Sequence, residues 1–293
     1  MAKYKILLYY KFVEIKDPST FREEQFAFCK KHNINGRILI SKEGINGTCS
    51  GLGEDIDKYM ADIEARQEFI DIEWKISYSD EQVFPKLRVV VREEIVTFKT
   101  DIDISKAAKY IEPKELSKLY DKNEEFVIID GRNEYEARIG KFKNALIPNI
   151  NNFREFPEWF AKNRDKFKDK KVITYCTGGI RCEKLSAYLV EQGLEDVHQL
   201  HGGIFKYGEE AGGKDFEGLM YVFDNRIVVP VNSVNPEIIS ECFHCDKKVA
   251  RFINCCNAEC NKQFICCEDC NAEFEGGCSA DCQLKSSSLF EYL

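Results

Sequence analysis

Apolar side chains run almost without interruption through residues 4–13, then fall at helical spacing through 18–32, and return as short strand-like runs at 36–40 and 47–49. A second helical stretch covers 56–69, and residues 72–77 lead into a strand at 87–91. The order is β-α-β-β-α-β. It predicts a ferredoxin-like (acylphosphatase-like) α+β domain over residues 1–100, a sheet with two helices on one face. Such folds host small ligands and RNA alike, so the order alone assigns no function.

After a connecting helix over 101–122, interrupted at Pro113, the period alternates again. Strands at 126–130, 145–147, 171–176 and 197–200 are interleaved with helices near 134–139, at 156–166 and at 181–192, before a glycine-rich approach to a further helix. This predicts a parallel α/β domain over 101–218, with the carboxyl ends of its strands on one rim, where ligands bind. Residues 219–240, with Val228-Val-Pro-Val and Asn235-Pro, read as an extended connector. The cysteine-rich remainder, 241–293, forms a third module, making the chain a multidomain α/β protein.

The 293 residues carry a net charge of −8, which argues against indiscriminate coating of nucleic acid but leaves room for a local basic groove. No stretch reaches the roughly 20 apolar residues of a membrane span, and the first residues begin a strand pattern rather than a signal peptide; a cytoplasmic protein with no membrane partner is expected. Ten of the fourteen cysteines crowd into residues 242–282. In a chain expected to stay in a reducing compartment, that density points to metal ligation rather than disulfides.

The run Val172-Ile-Thr-Tyr-Cys176-Thr177-Gly178-Gly179-Ile180-Arg181-Cys182 carries the most chemistry. A strand delivers Cys176 into a glycine loop that opens a helix, so backbone N–H groups, the helix dipole and the Arg181 charge converge on one sulfur and favour its thiolate. The C-x4-R spacing is one residue shorter than the C-x5-R loop of cysteine phosphatases. A smaller ring of donors suits a terminal persulfide sulfur better than a tetrahedral phosphate. As a mere packing residue Cys176 would leave the glycine pair and Arg181 without a purpose. Cys182 either resolves a disulfide or persulfide on Cys176 or faces the core.

In the third module, Cys242/Cys245 and Cys267/Cys270 are C-x2-C pairs, and Cys255/Cys260 and Cys278/Cys282 are looser ones. Eight thiols in paired spacing fit two tetrahedral zinc sites, of which one is the safer expectation; Cys256, Cys266 or His244 could replace a neighbouring ligand. An iron–sulfur cluster and a reduced thiol-rich tail are the competing explanations. A structural zinc is favoured because so short a segment has too few apolar residues to fold alone.

The segments Phe126-Val-Ile-Ile-Asp130-Gly-Arg132-Asn-Glu-Tyr-Glu, Cys176-Thr-Gly-Gly-Ile-Arg181 and His201-Gly-Gly-Ile resemble a rhodanese domain, in which the loop cysteine carries a persulfide and an Asp-x-Arg segment braces the fold; here Asp130 and Arg132 read best as a structural ion pair. Gly36-Arg-Ile-Leu-Ile-Ser-Lys-Glu-Gly-Ile-Asn-Gly-Thr-Cys-Ser-Gly51, Phe84-Pro-Lys-Leu-Arg-Val, Tyr221-Val-Phe-Asp-Asn-Arg226 and the cysteine-rich tail extend the likeness. Together they resemble the rhodanese-domain tRNA uridine hydroxylases. The resemblance implies an oxidoreductase that uses O2 as co-substrate to convert the wobble uridine of tRNA to 5-hydroxyuridine and depends on Cys176. Its partner would be the tRNA anticodon loop, not DNA. No haem, flavin or nicotinamide motif accompanies it. Lys42, Lys86, Arg88, Arg92 and Arg226 are the candidate phosphate contacts, each otherwise a solvated surface cation. A plain persulfide sulfurtransferase and a non-catalytic zinc and RNA-binding scaffold are the alternatives.

Overall fold

The first strand, β1 (Tyr4–Phe12), is apolar on both of its faces, and the assembly follows from that. In the computed structural model, which describes residues 3–290, β1 is followed by α1 (Pro18–Lys31), β2 (Asn35–Ser41), β3 (Gly44–Leu52), α2 (Gly53–Glu64), β4 (Lys75–Ser79) and β5 (Leu87–Val91). The sheet order is β4-β1-β3-β2-β5. Leu7 and Tyr9 point to one face, where α1 buries Phe21 and Cys29 and α2 buries Ile56, Tyr59 and Ile63 against them. Each such large side chain removed from water contributes about 1.5–3 kcal/mol. Asp17 starts α1 by accepting from the Ser19 and Thr20 N–H groups at 3.1 Å, with Pro18 in the first turn. Leu8 and Tyr10 point to the opposite face, toward the second domain.

This domain is the expected sandwich with one strand more. Residues 87–91 were expected to close the sheet; instead β4 takes that place beside β1, and β5 adds a fifth strand parallel to β2 on the far edge. β4 escapes notice in the sequence because Lys-Ile-Ser-Tyr-Ser is an edge strand with only Lys75 buried. Likewise β3 is nine residues long, its pattern hidden by three glycines.

The second domain contains β6 (Lys109–Ile111), α3 (Pro113–Asp121), β7 (Val127–Asp130), α4 (Glu134–Ala137), β8 (Gly140–Phe142), α5 (Phe156–Asn163), β9 (Val172–Tyr175), α6 (Ile180–Glu191), β10 (Val197–Leu200) and α7 (Gly203–Ala211). Its parallel sheet runs β6-β10-β9-β7. The segment expected as a connecting helix is thus a short 3-10 turn at Ile104–Lys106, the edge strand β6 and α3, because Pro113 lets a helix start but not pass through. The strand expected at 145–147 is a single bridge, Ile129 to Leu146, cut off by Asn144 and Asn149 in left-handed backbone.

Residues 219–240 are not merely a connector. β11 (Phe216–Tyr221) pairs with β8 and with β12 (Val228–Pro230) in an antiparallel sheet fastened to the second domain. The third module holds β13 (Phe252–Asn254), β14 (Gln263–Ile265), α8 (Glu268–Glu273) and α9 (Ala280–Phe290). Among the described residues, no helix is long and apolar enough to cross a membrane.

Candidate active site

Cys176 follows β9 directly and is fully buried. The Gly179 N–H donates to its Sγ at 3.1 Å. Burial pushes the thiol pKa up, but the Cys182 thiol, the Arg181 guanidinium and the Arg181 and Gly179 N–H groups outweigh it, bringing it down to about 6. Cys182 is also buried, and burial beside Cys176 holds its own pKa well above the thiol range. Cys182 therefore serves as a donor to the Cys176 anion rather than as a second thiolate.

Arg181 does not stand alone. Its Nη1 and Nη2 donate to Glu136 Oε2 and Oε1 at 2.6 and 2.8 Å, and Glu136 has no exposed surface. The carboxylate also accepts from the Asn133 N–H at 3.0 Å, so the first turn of α4 positions it. Asp130 and Arg132 form a buried ion pair: Arg132 Nε and Nη2 donate to Asp130 Oδ1 and Oδ2 at 2.9 and 2.6 Å, and the Tyr175 hydroxyl donates to Oδ2 at 2.7 Å. They tie β7 to β9 below the loop.

The first domain forms the roof. A Cβ on Gly178 would lie 2.8 Å from Leu8 Cδ2, and one on Gly179 would lie 2.7 Å from the Tyr10 hydroxyl at a φ of +108°. The glycine pair thus answers the sheet above it as much as the anion below. Tyr10 donates to Glu183 Oε1 at 2.9 Å, and Lys184 of the second domain pairs with Glu43 and Glu94 at 2.9 and 2.7 Å. Between roof and loop lies a cavity of about 410 Å³, lined by Cys176, Thr177, Gly178, Ile180 and Arg181 below and by Leu8, Tyr10, Arg37, Leu39, Asn46 and Thr48 above. That volume suits one small-molecule-sized group.

Two of the expected cations, Arg88 and Arg92, stand with Arg37 on this open sheet face or its edge. Arg88 pairs in register with Arg37 across β2 and β5, and both are exposed. Burial first, then the neighbouring Arg88 and Arg92 charges, lower the Arg37 pKa, so these cations crowd one another. Arg154 adds a fourth at the cavity wall. Lys42 lies in the turn between β2 and β3, and Lys86 just before β5; both are exposed. Arg226 differs: Asp224 takes its guanidinium at 2.8 and 2.6 Å, so it braces a turn rather than offering a free charge. Sequence reasoning missed Glu136, Arg37 and Arg154. Arg37 was legible in the alternation of β2, where Ile38 and Ile40 are core and Arg37 and Leu39 face the other way.

Comparisons with known proteins agree with this architecture. Family models match at residues 4–95 (UPF0176 acylphosphatase like domain), 112–210 (Rhodanese-like domain) and 217–283 (Rhodanase C-terminal). A tRNA uridine(34) hydroxylase of Enterococcus faecalis is 46% identical over 86% of this chain and 81% of its own. One of Listeria welshimeri is 47% identical over 87% and 81%, and one of Staphylococcus aureus is 46% identical over 86% and 80%. The chain belongs to the tRNA uridine(34) hydroxylase family.

In this hydroxylase-family chain the third module gathers its thiols into two groups. Cys242, Cys245, Cys267 and Cys270 form one, and Cys255, Cys260, Cys278 and Cys282 the other, with all Sγ atoms of a group within 4.8 Å. The pairs interleave along the sequence, first with third and second with fourth, a cross-braced arrangement that spacing alone leaves undetermined. Cys245–Cys267, Cys260–Cys278 and Cys278–Cys282 are each separated by 3.7 Å between sulfurs. A regular tetrahedron of thiolates around zinc at a bond length of about 2.3 Å has edges of about 3.8 Å, so both groups fit that ion. His244 stands outside them, stacked on Phe274 at 4.1 Å. Cys256 and Cys266 also lie outside, directed at the Cys282 and Cys267 carbonyls.

Proposed function

We propose that this protein hydroxylates C5 of the wobble uridine of tRNA with O2, and that Cys176 is its nucleophile. The observation that carries the reading is the buried thiolate at the floor of a two-domain cavity whose roof continues into an arginine-rich sheet face. A single-stranded anticodon loop can splay one base into such a cavity without breaking a duplex, while the arginines hold the flanking phosphates.

The thiolate Sγ adds to C6 of uracil, opening the C5=C6 double bond and leaving an electron pair on C5 as an enolate. The enolate carbon binds O2, and protonation gives a C5 hydroperoxide. A dithiol reductant supplies two electrons and two protons to the O–O bond, releasing one oxygen as water. Loss of the C5 proton then expels Cys176 and restores the double bond, giving 5-hydroxyuridine. The Gly179 and Arg181 N–H groups and the Cys182 thiol hold the sulfur as an anion before attack and after release. The eight grouped cysteines would hold two zinc ions as structural cross-links, remote from these steps. The reaction is assigned to the cytoplasm, where the tRNA pool is found.

Nucleoside mass spectrometry on tRNA from cells lacking the protein, rescued with wild type or Cys176→Ala, tests the reading. Return of 5-hydroxyuridine derivatives with wild type alone is expected. Unchanged hydroxylation together with altered thiolated nucleosides would replace it with a sulfurtransferase.

A further inference from the structure

We infer that Phe223 is a base-stacking platform for the nucleotide next to the target uridine, placed at the mouth of the Cys176 cavity by a strained turn. The inference rests on the proposed action on a single-stranded tRNA loop. Three aromatic side chains line the cavity; Phe153 is buried, and Tyr10 is half-buried with its hydroxyl committed to Glu183. Phe223 is 54% exposed.

Its exposure is not that of a loose surface residue. The turn between β11 and β12 is closed by hydrogen bonds from Val222 N–H to the Ile227 carbonyl at 2.8 Å and from Ile227 N–H to the Asp224 carbonyl at 2.9 Å. Asp224 is buried and receives both the Arg226 side chain and the Arg226 N–H, the latter at 3.0 Å. The turn is then pinned to the first domain: Asn225 N–H donates to the Val83 carbonyl at 3.0 Å, and Arg226 Nη1 to the Ser77 hydroxyl at 3.3 Å. Tyr221 braces the Phe223 ring edge-on, with centroids 5.3 Å apart.

Ile227 completes the turn with a φ of +61°, a backbone region that β-branched residues avoid. Strain of that kind persists where surrounding contacts over-determine it, and here it holds an apolar ring in water. Folding gains nothing from the exposed half of that ring. A nucleobase does, because every base offers a π face to an aromatic ring. The cavity takes one group, so a neighbouring base must remain outside it, and Arg37 and Arg154 on the cavity wall supply the charge that an RNA strand at this mouth requires.

The test measures binding of anticodon stem-loop RNAs to the full-length protein by wild type, Phe223→Ala and Phe223→Trp. The RNAs carry either all bases or an abasic residue on one or the other side of the target uridine. Phe223→Ala is expected to weaken binding of the intact RNA about 5- to 150-fold, the range that base–aromatic stacking energies convert to. One of the two abasic RNAs should bind wild type weakly by a similar factor, yet bind Phe223→Ala no worse than the intact RNA does, because both changes remove the same contact. Phe223→Trp should keep the affinity and show quenched emission on binding, against a background of only two native tryptophans. Equal binding of the intact RNA by wild type and Phe223→Ala, with tRNA hydroxylation by wild type intact, overturns this inference alone. Failure of wild type to bind the intact RNA or to hydroxylate tRNA overturns the functional reading and the inference with it.

Discussion

Replacing Arg181 and Glu136 together by glutamine removes the buried cation beside Cys176 without stranding the carboxylate that answers it. Losing one partner alone would leave an uncompensated buried charge, at a cost of about 3–5 kcal/mol. With its pKa at about 6, the Cys176 thiol is about nine-tenths ionised at pH 7. An opposite charge within about 4–6 Å lowers a pKa by about 1–3, so the double variant should bring the thiol to about 8 and its ionised fraction at pH 7 to about one-tenth. Iodoacetamide alkylation at Cys176, followed by peptide mass spectrometry across pH, should then be roughly tenfold slower at pH 7 and titrate at the higher value. The same shift has a sign in stability. A thiol whose folded pKa lies below its unfolded value of about 8.5 contributes stability that is complete above the unfolded value and is lost as pH falls through the folded one. At pH 7 roughly 1 kcal/mol of it remains in the wild type and almost none in the double variant. Unchanged alkylation profiles in a folded double variant would show that the loop N–H groups and Cys182 set the pKa without Arg181, and would refute the reasoning.

Gly179→Ala should lower the melting temperature and abolish activity, since its Cβ meets the Tyr10 hydroxyl at 2.7 Å in a backbone conformation that alanine avoids; activity comparable to wild type would separate the roof from the site. Plasma emission spectrometry should find two zinc ions per chain, with Cys245→Ser and Cys260→Ser each losing one; a stoichiometry of zero refutes the metal assignment. Because the two sites interleave, a chelator should unfold the module in one transition rather than two. Arg88→Gln should weaken tRNA binding and reduce the salt slope by about 1 if the arginine touches a phosphate, and an unchanged slope would return it to an ordinary surface role.

The parts of this architecture that a reader of the chain can find are those whose cause is local. Strand, Cys176, glycine pair and Arg181 follow one another within a dozen residues, and the C-x2-C pairs have the spacing that metal ligation needs. What stays hidden needs a partner from elsewhere. Glu136 lies 45 positions from Arg181, and although the Asn-x-x-Glu spacing marks it as the acid of a capping box, nothing there announces its burial against that arginine, whereas Glu134 meets solvent and pairs with Arg138. Which cysteine pairs come together depends on how β13 and β14 fold back, not on spacing. β4 leaves little trace because an edge strand needs few apolar residues, and the 219–240 segment resembles a connector because its own strand pairing, 219–221 against β12, is only three residues long.

The first turn of α6 explains why loop and roof act as one site. Arg181, Cys182, Glu183 and Lys184 are all buried, an uncommon fate for three charged residues in a row of four. Successive residues of a helix point about 100° apart, so four of them address every side of its axis. Arg181 turns to Glu136 inside the second domain and Cys182 to Cys176. Glu183 accepts from Tyr10, Tyr110 and Gln199, and Lys184 reaches Glu43 and Glu94. The helix turn that fixes the thiolate is therefore the one to which the first domain is bolted. Displacing the sheet would strip buried Lys184 of its carboxylates and Glu183 of one of its three donors, and leaving a buried charge unpaired costs several kcal/mol. Here the two buried ions hold a roof over the loop, and on the proposed function the cavity they enclose lets a base meet Cys176 away from water.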